Sequence, residues 1–100
     1  MSVECSKYES GVVVCTFSNR MDTSKCLEAE EDVMKAIDGA EKIIFNLDGI
    51  DYIASSFLRL CNKAFDKVKA GNFSMINVTP AVKRVFKIAG LAERLNLSLN

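Results

Sequence analysis

The chain has 100 residues with 13 basic and 13 acidic side chains, so its formal net charge is zero. That length fits one domain with one core, and a hydrophobic content of 49% is enough to fill it without disulfide staples. Neutrality removes any global pull toward nucleic acid or an anionic membrane, and a chain without histidine cannot build a Ser-His or Cys-His nucleophile pair.

Residues 2–8 are short and mixed, and fit an edge strand that turns at Gly11. Val12-Val13-Val14-Cys15-Thr16-Phe17 is continuous and β-branched, the pattern of a buried strand that closes a hairpin with the first. Ser18–Ser24 is a polar connection with several N-cap candidates. The spacing of Cys26, Leu27, Glu30, Val33, Met34 and Ile37 then predicts a helix whose stripe is apolar except for Glu30. It ends at Asp38-Gly39, with Gly39 suited to the left-handed C′ position.

Lys42-Ile43-Ile44-Phe45-Asn46-Leu47 is the most strand-like run, turned by Asp48-Gly49. Ser55 or Ser56 is then expected to cap a second helix, with Phe57/Leu58, Cys61, Ala64/Phe65 and Val68 as its stripe, running to Ala70-Gly71. Residues 72–78 form the next strand. Thr79-Pro80 reads as N-cap and N1 of a third helix, whose inner face is Val82, Val85, Phe86 and Ala89 and whose stop is Gly90. Leu91, Leu95, Leu97 and Leu99 predict a final short element over the core. The order β-β-α-β-α-β-α predicts a single small α/β domain over 1–100: a mixed sheet of about four strands with an antiparallel hairpin at its start.

Four cysteines (Cys5, Cys15, Cys26, Cys61) show no Cys-x-x-Cys spacing, which leaves zinc binding and thioredoxin-like chemistry unsupported; no metal or other cofactor is expected. The first residues carry no basic and apolar leader, and no apolar run reaches membrane-spanning length. The expectation is a cytoplasmic protein with reduced, mostly buried thiols and no membrane insertion. Charge is uneven along the chain. Residues 1–51 hold 11 acids and 5 bases, whereas residues 52–100 hold 2 acids and 8 bases. Complementary solvated faces of one fold account for this; the sharper alternative is a basic surface that docks an acidic partner.

Enzymatic chemistry finds no constellation. Asp48 and Asp51 flank one turn, where acids are ordinary turn formers, and Gly49, Gly71 and Gly90 follow no phosphate-loop pattern. Ser55 and Ser56 stand at a predicted strand–turn–helix junction, where backbone N–H groups and the helix dipole favour an anion. The position suits a phosphorylation switch and an ordinary helix cap alike. A cap needs one serine and not two, and Ile50–Ala54 returns the chain toward the surface, where a kinase could reach the next hydroxyl.

Two segments resemble the STAS family, the bacterial anti-sigma factor antagonists. Asn46-Leu-Asp-Gly-Ile-Asp-Tyr-Ile-Ala-Ser-Ser-Phe-Leu-Arg-Leu60 is similar to the family's Asp-Leu-Ser-x-Val-x-Phe-Met-Asp-Ser-Ser-Gly-Leu-Gly signature. Thr79-Pro-Ala-Val-Lys-Arg-Val-Phe-Lys-Ile-Ala-Gly-Leu91 is similar to its Ser-Pro-x-Val-x-Arg-x-Phe…Gly-Leu run, and Asn19-Arg20-Met21-Asp22 to its Gly-x-Leu-Asp. The resemblance implies a STAS-like fold with helices mainly on one face of the sheet. It implies a non-enzymatic partner switch: Ser55 is phosphorylated by an ATP-dependent anti-sigma factor/serine kinase, with Ser56 the second choice. Asp22, Asp48, Asp51, Ala54, Ser56, Phe57 and Arg59 are the expected partner-binding residues, and nucleic acid is not contacted directly. Two departures stand out. Ala54 replaces the family's Asp, and Phe57 its Gly. Both also fit an alternative, a non-phosphorylated STAS subunit or scaffold, for example in a lipid-transport ATPase complex or a signalling assembly.

Overall fold

A computed structural model describes residues 3–18, 20–69 and 71–94. The elements follow the order β1 (Val3–Lys7), β2 (Val12–Phe17), α1 (Thr23–Ile37), β3 (Lys42–Asn46), α2 (Ser55–Phe65), β4 (Phe73–Ile76), α3 (Pro80–Ile88) and α4 (Leu91–Arg94). The strands form one sheet in the order β1-β2-β3-β4. β1 is antiparallel to β2, while β2–β3 and β3–β4 are parallel. α1 and α2 each cross to the adjacent strand in the same direction, and right-handed crossovers therefore place both on one face.

That face is set by period-2 alternation. Register aligns Val13 with Ile43 and Phe73, and Cys15 with Phe45 and Met75, and all six are buried. The intervening Val12, Val14, Thr16, Ile44 and Ser74 lie on the other face and are half-buried. Cys26, Ala29, Val33 and Ile37 of α1, Phe57, Leu60, Cys61 and Ala64 of α2, and Val82 and Phe86 of α3 complete the core. At its centre the Phe17 ring meets Phe45 at 4.9 Å and Phe57 at 5.1 Å, both edge-on, and Phe45 meets Phe73 at 5.1 Å. Edge-to-face pairing aligns the positive rim of one ring with the negative face of the next.

Several expectations are corrected. Leu27, expected in the α1 stripe, is 64% exposed, and Ala29 takes the inward position because 26, 29, 33 and 37 follow the helical repeat more closely. α2 stops at Phe65 and does not reach residue 70. Asp66 N–H makes the last i to i−4 bond, to Asn62 O at 3.1 Å, and Lys67 and Val68 N–H then turn back to Ala64 O and Phe65 O in a tighter i to i−3 pattern. β4 ends at Ile76 because Asn77 takes φ 57°, a left-handed conformation that Asn tolerates and a ladder does not. In α3, Val85 and Ala89 are exposed, and only Val82 and Phe86 face the core. Leu91 packs against the core, while Leu95, Leu97 and Leu99 lie outside the described residues. Among the described residues no helix is long and apolar enough to cross a membrane.

Phe57, expected both in the α2 stripe and at the partner surface, is fully buried against Phe17 and Phe45, so the stripe expectation holds and the partner-surface one is corrected. Phe57→Ala should therefore lower unfolding free energy by about 3–5 kcal/mol, read from urea denaturation followed by far-UV circular dichroism.

Candidate functional site

The site lies where the chain leaves β3 and enters α2. Leu47, Ile50 and Ile53 recur at three-residue intervals and are all buried, so the connection is pinned to the core at three points while the residues between them face outward. Ile50 N–H donates to Leu47 O at 3.0 Å, closing a turn over Asp48-Gly49. Gly49 has φ 78°, whereas Asp48 is not among the positive-φ residues, which defines a type II turn and explains the glycine. Asn46 Oδ1 accepts from Asp48 N–H at 3.1 Å and from Asn77 Nδ2 at 3.0 Å, tying the turn to the end of β4.

Thr79 occupies the N-cap position of α3 but makes no capping hydrogen bond. Its hydroxyl instead donates to Ile50 O at 2.7 Å. The residue read from sequence as a helix cap is therefore a strut beneath the loop.

On the other flank, Met21 and Ile53 form an isolated parallel bridge, with Met21 N–H donating to Tyr52 O at 3.1 Å and Ala54 N–H to Met21 O at 2.9 Å. The bridge sets Asp22 beside Ala54 and the start of α2. Asp22 is itself the N-cap of α1, its carboxylate accepting from Lys25 N–H at 2.9 Å. Arg20, Asp22, Lys25, Gly49 and Asp51 line a shallow cleft of about 460 Å³. The Arg20 guanidinium lies 4.1 Å from the centre of the Tyr52 ring, a cation–π contact on the rim. Sequence reading did not find this pair. Its residues lie more than 30 positions apart, and no local pattern joins them.

The two serines separate. Ala54, not a serine, is the N-cap of α2, and no side chain caps this helix. Ser55 is the first helical residue and is exposed, while Ser56 follows with its Oγ buried and unpartnered. Cys26 lies near Ser56; burial raises its thiol pKa more than the Ser56 hydroxyl lowers it, so the thiol stays protonated. Asp48, Asp51 and Arg59 are exposed, and Asp22 and Ala54 are half-buried. Arg59 follows Ser55 by four residues and shares its face of α2. The structure thus gathers Asp22 and Asp51 at one cleft, with Ser55 and Arg59 on the adjoining helix face.

The STAS domain family model matches residues 6–100. The chain belongs to the STAS domain family. Among solved structures, this STAS domain is similar to an anti-sigma factor antagonist from Mycobacterium paratuberculosis (TM-score 0.82, 18% identity, 98% of this chain and 85% of that one). It is also similar to the anti-sigma factor antagonist SpoIIAA in its unphosphorylated form (TM-score 0.70, 19% identity, 86% and 82% of the two chains). A third similar structure is the phosphorylated form of SpoIIAA, the Bacillus cell fate determinant (TM-score 0.68, 18% identity, 98% and 92%). At these identities the likeness is one of fold. No curated protein matches the sequence significantly.

Two consequences of this geometry can be measured. If residue 54 is the N-cap of the STAS domain's α2, Ala54→Ser should stabilise it by about 1 kcal/mol in urea unfolding, and Ser55→Ala should change stability by less than about 0.5 kcal/mol. Thr79→Val should cost about 1–3 kcal/mol, because Ile50 O loses its partner, and amide hydrogen exchange should quicken across residues 50–54.

Proposed function

We propose that this STAS domain is an anti-sigma factor antagonist. It binds an anti-sigma factor with serine kinase activity and is released when Ser55 is phosphorylated. The observation that most supports this reading is the exposed Ser55 hydroxyl in the first turn of α2, left unused by capping because Ala54 holds the N-cap. The fold shared with an antagonist known in both phosphorylation states supports it further. In this reading chain 1–100 acts as one cytoplasmic domain. The kinase brings the ATP, and the STAS domain is its substrate and regulator, not an enzyme; it contacts neither nucleic acid nor membrane.

The switch follows from electrostatics. Phosphate on Ser55 adds about −1.5 to −2 charge. The uncapped N–H groups and dipole of α2 stabilise it by only about 0.3–2 kcal/mol. In the free domain the phosphate stays hydrated. In a complex that covers Ser55 it must shed water. Asp22 and Asp51 are offset by Arg20 and Lys25 of the same cleft, so desolvation of the dianion is the cost that exceeds the dipole's contribution. The face that meets the partner comprises Asp22, Asp48, Asp51, Ala54, Ser55, Ser56 at its edge, and Arg59.

Ala54 favours a second reading. The antagonist pattern carries Asp there, and a STAS domain serving as a fixed subunit or scaffold, for example in a lipid-transport ATPase complex, has no need of it. The two readings separate on incubation with any kinase-type anti-sigma factor that the neighbouring genes encode, with ATP, followed by peptide mass spectrometry. The antagonist reading expects one phosphate on Ser55, kinase binding by Ser55→Ala that ATP does not reverse, and at least about tenfold weaker binding by Ser55→Asp. An unmodified Ser55, or Ser55→Asp binding as tightly as wild type, would shift the assignment to the fixed subunit.

A further inference from the structure

The opening hairpin holds a pair of sulfurs that the partner surface does not use. Cys5 and Cys15 are direct partners in the antiparallel β1–β2 register, and both point to the core side. Tyr8 N–H donates to Val12 O at 2.9 Å, which makes 8/12 a hydrogen-bonded pair. Alternation along the ladder then makes 6/14 and 4/16 hydrogen-bonded and 5/15 a non-hydrogen-bonded pair. Such pairs bring Cα atoms to about 4.5 Å, inside the span that a disulfide bridges. The two Sγ atoms are already 3.3 Å apart, and all four cysteines are free thiols.

We propose that Cys5 and Cys15 are a reversible oxidation site that closes into a cross-strand disulfide on exposure to hydroperoxide and reopens with a dithiol. This inference does not rest on the antagonist reading.

The pair is asymmetric in the way the chemistry needs. Cys5 is half-buried on an edge strand and reachable from solvent, whereas Cys15 is fully buried. The hydrogen bond between the two sulfurs brings the Cys5 pKa down, and Lys7 adds to this against the opposing effects of burial and Asp32. The same bond and burial push Cys15 up. Cys5 is therefore the attacking thiolate and Cys15 the resolving thiol. The Cys5 sulfur attacks a peroxide oxygen and the O–O bond breaks. Cys5 becomes a sulfenic acid, and the departing oxygen leaves as water or alcohol after taking up a proton. The Cys15 sulfur, losing its proton, then attacks the sulfenic sulfur; the S–S bond forms, the S–O bond breaks, and water leaves. Two thiols and one hydrogen peroxide give one disulfide and two waters. Cys26 and Cys61 serve as internal controls, since both are buried in the helical core with thiols raised by desolvation.

Closure would staple β1 to β2. As the sheet edge, β1 is held on one side only, by its ladder to β2 and by packing against α1. The test treats the reduced protein with a small excess of hydrogen peroxide, blocks remaining thiols with iodoacetamide under denaturing conditions, and maps peptides without reduction. The expected result is a monomer with a Cys5–Cys15 linkage, alkylated Cys26 and Cys61, full reversal by dithiothreitol, and Tm raised by at least about 5 °C. Cys5→Ser, a conservative change on the half-buried edge, should form no intramolecular linkage and show no peroxide-dependent rise in Tm. A linkage through Cys26 or Cys61, a Cys5-linked dimer, or Cys5 oxidised to sulfinic acid without a link to Cys15 would overturn the proposal.

Discussion

The candidate site depends on the burial of Leu47, Ile50, Ile53 and Phe57. The first three of these side chains anchor the eight-residue connection between β3 and α2 and Phe57 anchors the first turn of the helix it enters, and each turns its neighbours outward. Hydrophobic burial alone fixes only the anchor points. The path between them is set by backbone polar groups that find specific partners: Ile50 N–H on Leu47 O, Tyr52 O and Ala54 N–H on Met21, and Ile50 O on Thr79. A buried or half-buried backbone group without a partner costs about 1–3 kcal/mol, so these few bonds decide the shape of a loop that contains little regular structure. The result is a surface carried on rigid elements, which partner recognition requires.

Electrostatics is organised around the same junction. Acidic α1 and basic α2 lie side by side, and Lys63 of α2 reaches Glu30 of α1 at 3.2 Å. Exposed pairs of this kind contribute little stability, about 0–1 kcal/mol, and the remaining contacts, Lys25–Glu28 and Lys35–Glu31, lie within α1 itself. The uneven charge of the two halves is thus met in part by complementary faces of one fold. The bases of α3, Lys83, Arg84 and Lys87, are not in those pairs, and Val85 and Ile88 are exposed beside them. Near Ser55 the balance is different, since Asp22 and Asp51 share a cleft with Arg20 and Lys25. An added dianion there would change the sign of the local field far more than any single surface pair does.

Most of the fold was legible because it is carried by local chemistry. β2 and β3 announce themselves as apolar β-branched runs, Gly39 and Gly90 sit at helix ends with positive φ, and the strand–helix–strand order implies parallel pairing. The errors fall where a local pattern admits two answers. Leu27 and Ala29 compete for one helical stripe, and the choice rests on which residue faces β-sheet and α2 neighbours. The length of α2 was overread because Val68 continues the apolar spacing, although it packs on the core from an irregular turn.

The site was legible as a location and not as a set of roles. The sequence by itself determined that Asn46–Leu60 forms a strand–turn–helix junction with two serines at the helix start, because periodicity and turn residues act over a few positions. Tertiary structure decided which atoms are available there. It gave the N-cap to Ala54, freed Ser55, buried the Ser56 hydroxyl and the Phe57 ring, took the Thr79 hydroxyl for Ile50, and brought Asp22 and Arg20 across from another segment. Each of those outcomes rests on a contact between residues far apart in the chain, and helical or strand periodicity carries no information about such contacts.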